Sequence, residues 1–313
     1  MGKSTLMNAL VGERLSIITS KAQTTRHRIM GIVNGEDFQI VYSDTPGVLK
    51  PNYKLQEQML EFSQGALVDA DVLLYVTDVQ DTPDKNAAFL EKVKKIAARS
   101  QQGGENKQNG GVKVFVIINK IDLTTPETLD NLVSYWHKEL PKAEIFAISA
   151  KERFGIDQLF NAIKEALPEC PPFFDKDQLT DRPARFFVDE IIREKILLNY
   201  DKEIPYSVEV EVESFIDHDE QRQQPTANAK ANAKGQKPKP LIEISAVIYV
   251  ERDSQKGIII GKGGSALKKV GMQARRDIEA FFQKPVYLQL YVKVDRDWRS
   301  NRSRLRHYGY DLS

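Results

Sequence analysis

Several short groups of residues in this chain have the types and spacing for phosphate and base chemistry. Gly2-Lys3-Ser4-Thr5 sets a glycine, an ammonium and two hydroxyls ahead of an apolar stripe at Leu6, Ala9 and Leu10. The lysine can reach phosphate oxygens, the Ser4 hydroxyl can ligate Mg²⁺, and the N–H groups at the start of the helix that the stripe predicts favour an anion. These residues match the closing half of a glycine-rich phosphate loop, G-x-x-x-x-G-K-[ST]. Asp44-Thr45-Pro46-Gly47 adds a carboxylate able to hold Mg²⁺ through a water, and a glycine whose N–H can approach a terminal phosphate. Asn119-Lys120-Ile121-Asp122 adds a base reader. The Asp122 carboxylate can accept two parallel hydrogen bonds from N1–H and the exocyclic amine of guanine, a donor pair that adenine lacks. Asn119 and the Lys120 stem would brace that loop and cover the base. Ser149-Ala150-Lys151 could offer a backbone N–H to the guanine carbonyl.

These groups need elements that place them together, and the hydrophobic pattern supplies such elements. Phe38, Ile40 and Tyr42 alternate as a strand delivering Asp44 to its C-terminal end, which is where an α/β sheet keeps its ligands. The apolar run Val112 to Ile118 reads as a buried parallel strand ending at Asn119, and Glu144 to Ile148 as another ending at Ser149. The polar stretch around Gln23-Thr24-Thr25-Arg26 reads as a loop that could give Mg²⁺ a threonine only when a γ-phosphate is present. From the residues alone Thr24 and Thr25 are both candidates, and the basic residues of Lys21 to Arg28 read as a solvated loop. Lys3, Thr25, Asp44 and Gly47 are the residues expected to act in hydrolysis. Val48 stands where many nucleotide hydrolases place a water-orienting glutamine, so slow intrinsic turnover is expected.

The four groups occur in the order found in small guanine-nucleotide-binding proteins, and they resemble the translation-factor-related class of GTPases. Thr25 is favoured as the metal ligand by similarity to GTPases with a T-T-R loop. The fold implied is a mostly parallel sheet flanked by helices over residues 1–167, with GTP or GDP and Mg²⁺ as cofactors.

The pattern changes after a proline-rich linker at residues 168–183. Phe187, Ile191, Ile192, Ile196 and Leu197 form a helical stripe, and strands are predicted at Tyr206 to Ser214 and Leu241 to Val250. Between those strands, residues 220–240 carry an Ala-Asn-Ala-Lys repetition and late prolines, and read as a disordered insertion. Gln101 to Gly111, rich in Gly, Gln and Asn, reads as a long loop. Next come Gly257-Ile258-Ile259-Ile260-Gly261-Lys262-Gly263-Gly264, helices at about Ser265 to Val270 and Met272 to Phe282, and a strand at Val286 to Val294. This is the plan of an α+β KH domain of the prokaryotic type, over residues 184–313. Its G-x-x-G turn lets a single-stranded nucleic-acid backbone come close, with Lys262, Lys268, Lys269 and Arg275 adding charge and Ile258, Ile259 and Ile260 lining a groove for bases. In the tail, Trp298 to Tyr308 mixes arginines with aromatics, which fits either nucleic-acid contact or a packed terminal helix.

Composition sets the outer limits. The 313 residues suit about two domains, and 41% hydrophobic content can fill their cores. The net charge of +1 hides an acidic excess before residue 220 and a basic excess after it, which puts a nucleic-acid partner at the far end. The single cysteine, Cys170, speaks against a disulfide framework, the four histidines show no metal spacing, and no run of about 18 apolar residues occurs. A cytoplasmic protein is expected.

Over essentially its whole length the chain resembles the Era family of ribosome-associated GTPases. The resemblance rests on Gln23-Thr24-Thr25-Arg26-His27-Arg28, the nucleotide motifs, Asp177-Gln178-Leu179-Thr180-Asp181-Arg182-Pro183 and Ile260-Gly261-Lys262-Gly263-Gly264. It implies a GTP-dependent switch that binds single-stranded RNA near the 3′ end of small-subunit ribosomal RNA and acts as a monomer on the small ribosomal subunit during its assembly. It also implies peripheral association with the cytoplasmic membrane. Family members carry a strand and an opening glycine ahead of the Gly-Lys-Ser, so the sequence is expected to begin upstream of Met1. The alternative is an RNA-binding module whose GTPase domain is too truncated to bind nucleotide well, with exposed sheet edges and lost phosphate-facing N–H groups.

Overall fold

The computed structural model describes residues 1–47, 50–80, 87–99, 111–218 and 241–310. Val48, most of the loop at 101–111 and the insertion at 220–240 lie outside these residues. The first half opens with helix α1 (Lys3–Val11), which buries Leu6, Met7 and Leu10. Strands β1 (Ile29–Asn34) and β2 (Gln39–Asp44) pair antiparallel, followed by helix α2 (Lys54–Val68). Strands β3 (Val72–Asp78), β4 (Lys113–Asn119) and β5 (Glu144–Ala147) form a parallel sheet in the order β3-β4-β5. Helices α3 (Ala87–Arg99), α4 (Pro126–Glu139) and α5 (Ile156–Ala166) complete this half.

Burial on both faces of β4 explains its continuous apolar run. Phe115 and Ile117 join a core with α1 and α5, whereas Val114, Val116 and Ile118 join one with Leu90, Val93 and Trp136. The parallel register sets Asp78 beside Asn119 at the C-terminal edge of the sheet. Both are buried there, at the position where the sequence places chemistry.

The second half contains α6 (Ala184–Asn199), the short α7 (Ile204–Ser207), β6 (Glu209–Asp217), β7 (Ile242–Val250), α8 (Asp253–Ile260), α9 (Ser265–Phe282) and β8 (Val286–Val294). Its sheet runs β6-β7-β8, with β6 and β7 antiparallel and β7 and β8 parallel. Three details depart from the sequence expectation. The strand predicted from Tyr206 begins at Glu209, because residues 204–207 form a helical turn. Ile258 to Ile260 belong to helix α8. The two helices predicted on either side of Gly271 are one, α9. Gly271 sits within this helix facing Leu290 of β8, where a Cβ would stand 3.4 Å from Leu290 Cδ1, an ordinary contact distance, so the glycine does not end the helix.

The halves are joined by packing as well as by chain. The linker lies along β1, where the Ile32 N–H donates to the Leu179 carbonyl at 2.8 Å. Leu55, Met59 and Phe62 of α2 pack with Trp298, Leu305 and Tyr310 in one buried cluster. The tail therefore takes the packed form: Asn301 caps the short helix α10 (Arg302–His307), and Trp298 is fully buried with its indole N–H donating to the Ser207 carbonyl at 3.2 Å. Replacing Trp298 with alanine is predicted to lower the unfolding free energy by about 3–5 kcal/mol. Denaturant titration of the whole chain checks this, and a loss below about 1 kcal/mol would contradict so central a role for the cluster.

Candidate nucleotide site and nucleic-acid interface

The predicted phosphate residues converge at the C-terminal ends of the strands. Gly2 caps α1 with a φ of 82°, a left-handed conformation that favours glycine. A Cβ at that position would meet Asn119 Nδ2 at 2.6 Å, so the turn closes only around a residue without a side chain. Lys3 points toward the Asp44-Thr45-Pro46-Gly47 turn, where a Cβ built on Gly47 would stand 3.6 Å from Lys3 Nζ. Thr5 lies in the first turn of α1, partly exposed.

The metal-ligand candidates also meet. Ser4 Oγ and Thr25 Oγ1 are 2.8 Å apart. Thr24 turns its hydroxyl the other way, donating to the Lys21 carbonyl at 2.7 Å and lying 2.6 Å from Thr19 Oγ1. Geometry thus separates the two threonines, leaving Thr25 facing the site. Asp44 is 3% exposed and its Oδ2 has no hydrogen-bond partner. Burial raises the pKa of this carboxyl, against the opposing pull of Ser4, Lys3, Ser16 and Thr25. An unpartnered, buried carboxylate oxygen beside two hydroxyls can be satisfied by a cation. Two hydroxyls and a carboxylate that can work through water form a hard oxygen donor set, which fits Mg²⁺.

Asn119 acts as the brace expected of it. Its Oδ1 accepts from the N–H groups of Lys120 at 2.8 Å and Ala150 at 3.0 Å, and its Nδ2 donates to the Met1 carbonyl at 2.9 Å. One amide side chain therefore ties together the phosphate turn, its own loop and the Ser149-Ala150-Lys151 loop. Lys120 adopts a φ of 64° and forms an ion pair with Asp78. Burial raises the Asp78 pKa, while the Lys120 ammonium beside it pulls it down, below the usual carboxylate value. Asp78 is a site residue that the motifs do not reveal, since its only signal is an aspartate ending a strand. Ser149 Oγ donates to Asp122 Oδ1 at 2.6 Å, orienting an otherwise exposed carboxylate. Lys151 is exposed and paired with Glu152 at 3.0 Å.

The loop carrying Thr25 is not solvated as its basic residues suggested. Arg26 is 1% exposed and His27 is buried. Arg26 donates to the carbonyls of Val208 at 2.7 Å and Pro205 at 3.0 Å, and pairs with Glu209 at 3.2 Å. His27 stacks on Tyr310 with ring centroids 4.2 Å apart. Burial, with Arg182, Arg193 and Arg26 nearby, keeps its pKa well below the usual value and the imidazole neutral.

At the other candidate site, Gly261, Gly263 and Gly264 all have positive φ, forming the turn between α8 and α9. A Cβ at Gly261 would lie 2.6 Å from Ala266 Cβ, whereas Gly263 and Gly264 face open space. The backbone is thus accessible from outside, with Lys262, Lys268 and Lys269 exposed around it. Arg275 is exposed but paired with Glu279 at 3.0 Å. Ile258 is 49% exposed and Ile260 half-buried. Ile259 corrects the sequence reading: it is fully buried in the core and cannot line an open groove, because the helical turn of α8 points it inward.

A guanine-type base loop and a phosphate turn on a parallel sheet, followed by a KH fold with an open G-x-x-G turn, define a GTPase joined to a nucleic-acid-binding domain. Comparison with known proteins agrees. A family described as 50S ribosome-binding GTPase matches residues 1–120, and the KH domain family matches residues 203–299. GTPase Era of Staphylococcus epidermidis is 37% identical over 310 residues, spanning 99% of this chain and 93% of the relative, and that of Staphylococcus haemolyticus gives the same values. A crystal structure of Era with MgGDPNP and nucleotides 1506–1542 of 16S ribosomal RNA matches at a TM-score of 0.83 and 35% identity, covering 99% of this chain and 95% of that one. A tyrosine-to-alanine variant of Aquifex aeolicus Era bound to GDP and AlF4⁻ matches at 0.84 and 34% identity, with the same coverage. The chain belongs to the Era family of GTPases.

Replacing Asp122 with asparagine would turn an acceptor toward the base into a donor. GTP binding is predicted to fall by on the order of 10²-fold or more while binding of xanthosine triphosphate, which carries a carbonyl in place of the exocyclic amine, improves. Competition against a fluorescent GDP analogue measures both, and unchanged preference would remove Asp122 from base recognition.

Proposed function

We propose that this GTPase couples GTP hydrolysis to the binding of single-stranded RNA from the 3′ end of small-subunit ribosomal RNA, and acts in assembly of the small ribosomal subunit. The observation that carries the nucleotide half is the meeting of Ser4 and Thr25 hydroxyls beside the orphaned Asp44 oxygen. Ser4 and Thr25 would hold Mg²⁺ directly and Asp44 through a water. Bound Mg²⁺ would neutralise charge on the β- and γ-phosphates. Gly2, Lys3, Ser4 and Thr5 bind the phosphates, with Lys3 balancing charge as the γ-phosphoryl group leaves. The Gly47 N–H orients the γ-phosphate, and Asp44 is assigned no role as a base. Asn119, Lys120 and Asp122, with Ser149, Ala150 and Lys151, hold the guanine. Because a valine at position 48 cannot orient water by hydrogen bonding, intrinsic turnover is slow.

The RNA half rests on the open G-x-x-G turn and its exposed lysines, together with the Era structure solved with a 16S ribosomal RNA segment. The open turn at Lys262, Gly263 and Gly264 lets the RNA backbone come close, Lys268 and Lys269 add charge, and Ile258 and Ile260 border the bases. A reading in which the first half is only a scaffold is not favoured, since Asn119 still ties all three nucleotide loops together. We also assign the protein to the cytoplasm, as a monomer that contacts the membrane surface peripherally, on family resemblance alone.

Replacing both Lys262 and Gly263 with aspartate is predicted to abolish binding of an oligonucleotide with the 3′-terminal small-subunit sequence, while leaving GDP binding intact. Fluorescence anisotropy checks the first and the fluorescent GDP analogue the second. Unchanged RNA binding would reject the assignment of this turn.

A further inference from the structure

The loop that carries Thr25 is gripped on both sides by the KH half. On one side Arg26 inserts its guanidinium among Pro205, Val208 and Glu209. On the other, Arg193 of α6 donates through Nη2 to the Thr24 carbonyl. Arg193 is 1% exposed and is itself fixed by Glu190, which accepts from Nε at 2.7 Å and from Nη2 at 2.6 Å. Its Nη1 is buried with no hydrogen-bond partner. An apolar residue of similar volume could fill this space without the desolvation penalty of a buried guanidinium. What the guanidinium supplies, and an apolar residue could not, is a directed donor at one backbone carbonyl.

That carbonyl belongs to the residue immediately before Thr25. The peptide plane between them is rigid, so fixing the Thr24 carbonyl limits where Thr25 can stand. Loops of this kind in GTPases order around the γ-phosphate and its metal and otherwise disperse, at an entropic cost that falls on nucleotide binding. Here the grip on Thr24 and Arg26 meets part of that cost beforehand. We infer that Arg193, a residue of the KH half, is a positioning residue for GTP hydrolysis that sets the Thr25 hydroxyl toward Ser4 and the metal through the Thr24 carbonyl. The inference rests on the hydrolysis reading given above and adds to it a residue outside the nucleotide-binding half.

The test compares the unaltered chain with Arg193→Gln and Arg193→Lys in steady-state GTP hydrolysis, in the Mg²⁺ concentration needed for half-maximal rate, and in affinity for a fluorescent GDP analogue. Misplacing the threonine without touching the rest of the site should lower kcat in Arg193→Gln by about tenfold or more and raise the Mg²⁺ requirement. GDP affinity should stay within about twofold, because GDP has no γ-phosphate for the loop to close upon. Arg193→Lys keeps a cationic donor and should lose less turnover than Arg193→Gln, yet still fall below the unaltered chain. If Arg193→Gln does not fold, the lysine variant is judged by the same measurements. Unchanged kcat and Mg²⁺ requirement in a folded variant would overturn the inference, as would GDP affinity falling in parallel with kcat, which signals general damage. No turnover by the unaltered chain would instead overturn the hydrolysis reading, which failure of the variants alone would leave standing.

Discussion

Burial of the Arg26 guanidinium would cost several kcal/mol if it were unpaired, and the KH half supplies its partners. Two carbonyls and the Glu209 carboxylate meet it, and Glu209 in turn accepts from the Tyr310 hydroxyl at 2.7 Å. Once Arg26 is committed to this place, His27 falls against Tyr310 and Thr25 falls beside Ser4. The same commitment closes α2 against Trp298 and Leu305, since the tail that carries Tyr310 also covers Leu55, Met59 and Phe62. Nucleotide loop, interdomain surface and chain terminus thus share one charged contact.

Helix α6 gives this arrangement a mechanical reading. It buries Glu190, Arg193, Glu194 and Lys195: Arg14 pairs with Glu194 and Arg193 reaches the Thr24 carbonyl across the junction, whereas Lys195 joins Glu194 and Asp277 within the KH half. At its C-terminal end, Tyr200 donates its hydroxyl to the Ile259 carbonyl at 2.7 Å, two residues before Gly261 opens the G-x-x-G turn. A single helix therefore touches the loop that carries Thr25 and the helix that leads into the G-x-x-G turn. Any preference of RNA for one placement of α6 would act on the Thr25 loop, and nucleotide would act on RNA binding in equal measure.

Much of this was legible from residue types because strand ends impose it. Asp44, Asn119 and Ser149 follow apolar runs whose period gives their position, and Gly261, Lys262, Gly263 and Gly264 announce a turn through glycine alone. Arg26 and Arg193 were not legible in the same way. An arginine in a polar loop reads as solvated, and Glu190 with Arg193 at a spacing of three reads as an ordinary surface pair on a helix. Their burial arises from two surfaces distant in the chain closing upon each other, which local periodicity does not encode. Ile259 failed for the opposite reason, since an apolar run beside a glycine turn has the same composition whether it lines a groove or fills a core.

A double-mutant cycle on Arg26 and Glu209 tests the central claim most directly. Unfolding free energies of the unaltered chain, Arg26→Met, Glu209→Gln and the double variant give the coupling between the Thr25 loop and the KH half. A buried, mutually dependent pair predicts a coupling of more than about 1 kcal/mol, with the double variant less damaged than the sum of the singles. Single effects that add to within about 0.5 kcal/mol would show that the two sites do not depend on each other, and would contradict the account.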